Sequence, residues 1–201
     1  MVSAITPAVQ GFPIDLDADQ DAVARCRSGD WEAFSDLMLK YQTRVLTLAT
    51  RMLGSPSEAE DIAQDIFAKV FLSLHKFRGA ARFSTWLYRI TVNHCLNYMR
   101  SRARQQQTLV AIESKDLAEA SPASNPQWRL EQKERWALVQ AKLQALSPEH
   151  RTIIILRDIE GLAYEEIAEV LLLESGTVKS RIHRARMELK DLLEPYVSDE
   201  G

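Results

Sequence analysis

The sequence has little of what membrane, secreted or metal-binding proteins need. No apolar run approaches the roughly 20 residues that a membrane helix requires, so no membrane insertion is expected. The first residues lack the basic start and apolar core of a secretory signal, which indicates a cytoplasmic protein. The two cysteines, Cys26 and Cys95, are far apart and have no metal-ligand spacing. They are expected to be buried or half-buried thiols in a reducing compartment, with a disulfide as the less favoured alternative.

Catalytic groupings are also missing. One alternative of this class is a small metal-dependent enzyme that would use Glu58, Asp61 and Asp65. Carboxylate metal sites in helical bundles add histidines at fixed spacing, and no such histidine accompanies these acids. The histidines are scattered at His75, His94, His150 and His183. We therefore predict no catalytic residue, no metal site and no cofactor.

A strand pattern is missing too, and apolar residues recur at helical spacing from Ala22 onward. Hydrophobic residues make up 46% and charged residues 26% of the 201 positions, which is typical of a globular protein. The sequence predicts an all-α fold of two small helical domains joined by a flexible linker. The predicted segments are a disordered leader (1–16), a first domain (17–104), the linker (105–130) and a second domain (131–197).

Short polar residues mark where the helices are expected to begin. A side-chain oxygen just before a helix accepts hydrogen bonds from its free backbone N–H groups. The predicted N-caps are Asp30, Ser57, Ser84, Ser147 and one of Ser175 and Thr177. The stretch 171–173 has no glycine, although tight turns after helices often contain one. Either Leu172 adopts a positive φ, or the turn has another shape.

Residues 164–186 have the pattern of two short helices joined by a tight turn. Apolar residues recur at helical spacing in both helices. Residues 178–190 contain five lysine or arginine residues and only one acidic residue. With Val178 and Ile182 facing inward, the outward positions are those at which a recognition helix touches base edges in the major groove. They are Lys179, Ser180, His183 and Arg184. The alternative is an amphipathic hairpin with a solvated basic face.

Charge is distributed unevenly along a chain whose net charge is −3. Residues 78–104 contain six arginines and no acid, whereas residues 55–65 contain four acids and no base. Such segregation favours two kinds of partner, nucleic acid for the basic faces and a different partner for the acidic face. Solvated faces that happen to segregate are the alternative.

Aromatic residues interleave with the arginines of this basic segment. Phe77 and Trp86 supply rings that could stack on unpaired bases, and Asn93 and Asn97 lie one helical turn apart. Rings, amides and guanidiniums together are what single-stranded nucleic acid needs. The alternative for Trp86 is partial burial in the core.

The segment 57–74 predicts a helix with one exposed polar face. Its apolar residues, expected to be buried, are Ile62, Ile66, Phe67, Val70 and Phe71. The exposed face would hold Asp61, Gln64, Asp65 and Lys69. A docking surface for the helices of another protein fits this face better than half of a metal site does.

Two sets of motifs in this chain resemble one known family. One set is similar to region 2 of bacterial sigma factors and comprises DIAQDIF (61–67), FRG (77–79), FSTWLYRI (83–90) and Asn93. The other set resembles region 4 and comprises LSPE (146–149), GLAYEEIA (161–168) and GTVKSR (176–181). Their order and the tether between them are similar to those of the extracytoplasmic-function (group 4) sigma factors, most closely the sigma-E type.

This resemblance implies a transcription initiation factor that binds core RNA polymerase, reads promoter −10 and −35 elements and nucleates promoter melting. Contacts with the β′ clamp helices would come from Asp61, Gln64, Asp65 and Lys69. Contacts with −10 DNA would come from Phe77, Arg78, Arg82, Trp86, Asn93, Asn97 and Arg100. Contacts with −35 DNA would come from Thr177, Lys179, Ser180, Arg181, His183 and Arg184. The resemblance also implies contact with the β flap and control by an anti-sigma factor.

A dimeric helix-turn-helix repressor is the rival within DNA binding. Such a repressor should carry a dimerisation helix or a ligand-sensing pocket, and the sequence shows neither pattern.

Overall fold

Helices make up all the regular structure of the described chain. The computed structural model of the protein describes residues 16–77, 79, 81–109 and 127–197, and no strand occurs in these ranges. The helices are α1 (Leu16–Arg27), α2 (Trp31–Leu53), α3 (Pro56–Ser73), α4 (Phe83–Leu109), α5 (Gln127–Ala145), α6 (Pro148–Ile154), α7 (Tyr164–Leu171) and α8 (Ser175–Val197). A 3₁₀ turn at Leu74–Lys76 follows α3, and a π-helical turn at Ile155–Ile159 follows α6. The predicted all-α fold is confirmed.

The first four helices form one unit (α1–α4) around α2. Apolar residues of α2 recur every three or four positions, so one side of the helix is buried against α3 and α4. This buried stripe includes Leu37, Tyr41, Val45, Leu48 and Met52. The buried Asp19 carboxylate ties α1 to α2, because it accepts hydrogen bonds from Tyr41 Oη at 2.5 Å and Lys40 Nζ at 2.6 Å.

Two predicted N-caps are confirmed. Asp30 accepts a hydrogen bond from the backbone N–H of Ala33 at 3.0 Å, at the start of α2. Ser147 accepts from the backbone N–H of His150 at 3.3 Å, at the start of α6. In each case the side-chain oxygen satisfies an N–H that the first helical turn leaves unpaired.

Two other predicted N-caps are wrong. The cap of α3 is Ser55 rather than Ser57, and its Oγ accepts from the backbone N–H of Glu58 at 3.4 Å. Pro56 then occupies the first helical position, where no N–H is needed. Ser84 does not cap α4, since that helix begins at Phe83 and Ser84 is buried within its first turn. Adjacent hydroxyl residues compete for the cap, and spacing alone does not choose between them.

The last four helices form a second unit (α5–α8) around α6. Residues 153–156, from α6 into the π-helical turn, are buried, and α6 packs against α8. The buried stripe of α8 consists of Val178, Ile182, Ala185 and Leu189. The carboxylate of Asp158, in the π-helical turn, accepts from Arg186 Nε of α8 at 3.0 Å. This ion pair fixes the rotation of α8 relative to α6.

The helices on either side of the predicted linker are longer than expected. Helix α4 continues to Leu109 and α5 begins at Gln127, both inside the predicted linker of 105–130. Residues 110–126 lie outside the described residues, as does the predicted leader up to residue 15. The division into domains at 17–104 and 131–197 stays a prediction.

The two units contact each other along α4. Helix α7 lies against α4, and α6 also contacts α4 and α2. At this contact the buried Arg151 guanidinium donates to the backbone carbonyl of Met52 in α2 at 2.7 Å. The Glu160 carboxylate accepts from Arg51 Nη1 at 2.5 Å and from Tyr88 Oη at 2.9 Å.

Candidate nucleic-acid and polymerase interfaces

Helix α8 presents the basic face that the sequence predicts. Lys179, Ser180, His183 and Arg184 are exposed, and Thr177 and Arg181 are half-buried at the edges of the same face. This orientation follows from the burial of Val178 and Ile182, which turns the intervening positions outward. All the residues predicted to contact −35 DNA therefore lie on one side of α8.

Local bonds order this face. Ser180 Oγ donates to the backbone carbonyl of Thr177 at 3.0 Å, and Arg184 Nε donates to the carbonyl of Ser180 at 3.3 Å. Arg186 lies on the other side, where its hydrogen bond to Asp158 raises the pKa of its guanidinium. Arg186 therefore has a structural role in holding α8 to the π-helical turn, whereas Arg184 lies on the exposed face.

The turn between α7 and α8 has the first of the two predicted forms, in which Leu172 adopts a positive φ. Leu172 has φ 54° and ψ 49°, the left-handed conformation, which costs a non-glycine residue about 1 kcal/mol or more. Its own N–H and the N–H of Leu173 both reach the carbonyl of Ala168. The capping prediction for α8 is wrong, because the helix starts at Ser175, which places Ser175 and Thr177 inside its first turn.

The aromatic residues near the predicted −10 site are mostly buried. Phe77, Phe83 and Trp86 form a cluster, with ring centroids 5.2 Å apart for Phe77 and Trp86 and 5.7 Å apart for Phe83 and Trp86. Only 7% of Phe77 and 9% of Trp86 are exposed. In this arrangement the rings are part of the core, and their predicted contacts with DNA bases stay predictions.

The polar residues predicted for the −10 site lie outside this cluster. Asn93, Asn97 and Arg100 are exposed along one stripe of α4, and Arg82 is exposed just before the helix begins. Arg78 lies outside the described residues. The stripe offers amides and guanidiniums together, which is the combination that a nucleic-acid strand requires.

Two of these arginines face carboxylates of the second unit. Arg82 Nη1 lies 3.3 Å from Glu166 Oε1, and Arg100 Nη2 lies 3.6 Å from Glu149 Oε1. Both pairs are largely exposed, and exposed ion pairs are worth about 0–1 kcal/mol. They are weak enough for a phosphate backbone to replace them.

The polar face of α3 is exposed as predicted. Asp61, Gln64, Asp65 and Lys69 all face solvent. His94 Nε2 of α4 lies 3.8 Å from Asp65 Oδ2 at the edge of this face. Glu58, one of the acids considered for a metal site, is instead paired with Arg102 Nη1 at 2.5 Å.

The sequence-based prediction omitted the apolar residues beside this face. Leu72 is 70% exposed and continues the stripe that runs through Asp61 and Asp65 at helical spacing. Phe71, predicted to be buried, is 43% exposed, and its ring stacks on that of the exposed Trp31 at 4.7 Å between centroids. The exposure of Leu72 could have been predicted from its helical spacing relative to Asp61. The exposure of Phe71 could not, because its partner Trp31 lies on another helix.

Both thiols are placed as the sequence predicts. Cys26 is half-buried and Cys95 is buried, and neither forms a disulfide. Burial raises the pKa of Cys95 to about 12, so this thiol is inert at neutral pH. Within the described ranges, no helix is long and apolar enough to cross a bilayer, and no three acidic, histidine or cysteine side chains form a metal-binding group.

Two family descriptions match the chain. Residues 37–105 match Sigma-70 region 2, and residues 136–189 match Sigma-70, region 4. These ranges contain α3, most of α4 and the α7–turn–α8 motif, which are the elements that carry the exposed faces described above.

Whole proteins and a solved structure resemble the chain over most of its length. The RNA polymerase sigma-H factor of Pseudomonas aeruginosa is 38% identical over 90% of this chain and 96% of its own. The ECF RNA polymerase sigma-E factor of Escherichia coli is 35% identical over 89% of this chain and 96% of its own. The sigma factor RpoE of Bartonella quintana, solved with the anti-sigma factor NepR, is 28% identical, with a TM-score of 0.65 over 80% of this chain and 96% of that one. The chain therefore belongs to the extracytoplasmic-function group of the sigma-70 family, the factors that direct RNA polymerase to specific promoters.

Proposed function

We propose that three exposed faces of this sigma factor bind three different targets. The α3 face binds the β′ clamp helices of core polymerase, the α4 stripe binds the −10 element, and the outward face of α8 reads the −35 element beside the β flap. The observation that carries the proposal is the outward face of α8, on which every predicted −35 residue is gathered while the apolar stripe is buried. The protein acts as a non-enzymatic factor in the cytoplasm, where the polymerase is.

The contact with polymerase is assigned to α3 because its exposed face differs in chemistry from the two DNA faces. The carboxylates of Asp61 and Asp65 would repel phosphate, whereas they suit a protein partner that presents lysine or arginine side chains. Leu72 adds an exposed apolar side chain at the end of the same stripe. A mixed surface of this kind is typical of protein–protein docking.

Reconstitution with core RNA polymerase tests the proposal directly. The protein should co-purify with core polymerase and start transcription from a subset of promoters in a genomic library. Alone, it should bind duplex promoter DNA poorly, because its net charge is −3 and its basic faces are small. Tight, salt-resistant and sequence-specific binding of duplex DNA by the isolated protein would instead favour the repressor alternative.

Arg184→Ala is expected to weaken recognition at one or two −35 positions by about 1–3 kcal/mol each, because a guanidinium that reads a base edge discriminates by that amount. The measurement is transcription by the holoenzyme from a library of −35 variants. The matched control is Lys190→Ala, which removes an exposed positive charge from the same helix. It should leave the preference among −35 sequences unchanged. An equal loss on every variant would make Arg184 a phosphate contact.

For the −10 element, the proposal relies on the amides of α4. Capture of a flipped base requires polar groups that face solvent before the DNA arrives, and Asn93 and Asn97 are both exposed. Phe77 and Trp86, by contrast, are buried. The amides are thus better placed for the first contact with a base than the rings are.

Asn93→Ala should impair open-complex formation while leaving folding and core-polymerase binding nearly unchanged, because the exposed amide supports no part of the core. Permanganate reactivity of −10 thymines measures opening, and the melting temperature measures folding. A pre-melted promoter bubble should rescue the melting defect but not the loss of base discrimination. Ser101→Ala, an exposed change on the same helix, controls for effects on α4. Normal reactivity in a well-folded Asn93→Ala protein would remove this residue from the site.

We also propose that an anti-sigma factor controls the protein. The support is the relative from Bartonella quintana, whose structure was solved in complex with the anti-sigma factor NepR. An anti-sigma factor that covers the α3 face would compete with the clamp helices. The test is displacement of the bound anti-sigma factor by excess core polymerase.

A further inference from the structure

Trp31, Phe34 and Phe71 form an aromatic cluster on the surface of the first unit. Trp31 is 63% exposed, although its indole stacks on the Phe71 ring at 4.7 Å between centroids with 13° between the planes. The Phe34 centroid lies 5.8 Å from that of Trp31 and 5.1 Å from that of Phe71. Two rings on opposite faces of one indole would lie much farther apart than Phe34 and Phe71 do. Both phenyl rings are therefore on one side of Trp31, and the other face of the indole is open.

Positive charge accompanies this open ring. Trp31, Arg27 and His75 line a groove of about 210 Å³, here called the aromatic groove. Arg27 is exposed and forms no ion pair within the described residues. Asp30, the acid in the lining, is already paired with Arg25 Nη2 at 2.7 Å. An open ring beside an unpaired guanidinium is the combination that single-stranded nucleic acid needs.

The segment 75–77 connects the aromatic groove with the proposed −10 surface. His75 lines the aromatic groove, whereas the next two residues, Lys76 and Phe77, line a second groove together with Trp86 and Arg89. Lys76 is exposed. A DNA strand held at the −10 surface would therefore pass an exposed positive charge on its way to the aromatic groove.

We propose that the aromatic groove binds a nucleotide of single-stranded DNA that flanks the −10 element, with its base stacked on the open face of Trp31 and its phosphate at Arg27. The inference rests on the proposed role of the α4 stripe in −10 binding. Every base has a π-face, so the groove lengthens the bound strand without reading its sequence. Because a base must leave the duplex to stack here, the groove stabilises the melted promoter and not the closed one.

The test compares binding of the holoenzyme to two fluorescein-labelled single-stranded probes of about 6 and about 12 nucleotides, both within the range of sites on single-strand binders. The shorter probe is the −10 element of a responsive promoter, and the longer one adds the flanking nucleotides on both sides. Trp31→Leu should weaken binding of the longer probe about tenfold, the loss expected for one stacked base, and leave the shorter probe unaffected. Trp31→Phe keeps an aromatic face and should retain most of the affinity.

The matched control is Leu39→Ala, because Leu39 is an apolar residue of the same helix and is 61% exposed. It should change the binding of neither probe. Arg27→Gln should reduce the slope of log K against log salt for the longer probe by about 0.7, the contribution of one phosphate contact on a single strand. Iodouracil placed in the flanks of the longer probe should form a photochemical crosslink to Trp31.

Equal affinities of Trp31→Leu and the unaltered protein for the longer probe would overturn the inference, as would crosslinks that all fall outside the aromatic groove. A loss of core-polymerase binding in Trp31→Leu would also overturn it, because the cluster would then be a contact with protein.

Transcription with core polymerase separates this result from the proposed function. If no promoter responds, the proposed function fails, and a mixed-sequence iodouracil probe of the longer length tests the groove on the isolated full-length protein. A crosslink to Trp31 would then leave the groove standing. If promoters respond but Trp31→Leu binds both probes normally, the groove fails alone.

Discussion

Replacing Arg151 with alanine is expected to lower the free energy of unfolding by about 3–5 kcal/mol. Arg151 is 8% exposed. Its guanidinium donates to the backbone carbonyls of Leu143, Gln144, Leu146 and Met52 and to the side chain of Gln144. Each buried acceptor left without a donor costs about 1–3 kcal/mol. No carboxylate is among these partners, so the loss comes from unsatisfied carbonyls and not from a broken ion pair.

Urea unfolding of the full chain measures this effect. Arg151→Lys should recover only a small part of the loss, because an ammonium cannot reproduce the planar fork of donors. Arg27→Ala, at an exposed site of α1, should change stability by less than about 0.5 kcal/mol. A loss below about 1 kcal/mol for Arg151→Ala would mean that water satisfies these carbonyls in the folded protein.

Phe77→Ala should cost about 3–5 kcal/mol of stability, the usual range for a buried phenylalanine. The ring packs edge-on against Phe83 at 5.8 Å and lies 5.2 Å from Trp86. Phe77→Leu keeps most of the apolar volume and should cost less than about 1.5 kcal/mol. Thermal unfolding measures both changes.

The leucine variant separates a structural ring from one that stacks on DNA. If Phe77 only supports the surface, Phe77→Leu should open promoters normally once folded. If the ring leaves the cluster to stack on a base, the same variant should be stable but poor at opening, because leucine offers no π-face. Permanganate footprinting at a saturating concentration of holoenzyme distinguishes the two results.

Periodicity predicted the helices and the face of α8, since the positions of Val178 and Ile182 settle which residues turn outward. It could not say which aromatics among the arginines are buried. Trp86 shares a stripe with Arg82 and Arg89, and its burial depends on Phe77 from the preceding segment and on Phe83 at the start of α4. Helical spacing describes one helix at a time, whereas burial is decided by neighbours from elsewhere in the chain.

The contact between the two units was beyond prediction for the same reason. Arg151 follows a well-predicted cap at Ser147, yet its acceptors come from α2 as well as from α5 and the segment after it. Glu160 lies between two helices, and its partners Arg51 and Tyr88 are 109 and 72 residues away along the chain. The sequence marks these residues as charged, and only the folded chain shows that their charges are satisfied internally.

The π-helical turn at residues 155–159 makes the length of this segment as important as its chemistry. In this turn the N–H of Glu160 donates to the carbonyl of Ile155, five residues earlier, at 2.9 Å. An inserted residue would exceed what this turn accommodates and would rotate everything after it by about 100°. Asp158 could then no longer meet Arg186 while Glu160 meets Arg51. Among natural variants, substitutions should accumulate in this segment far more readily than single-residue insertions.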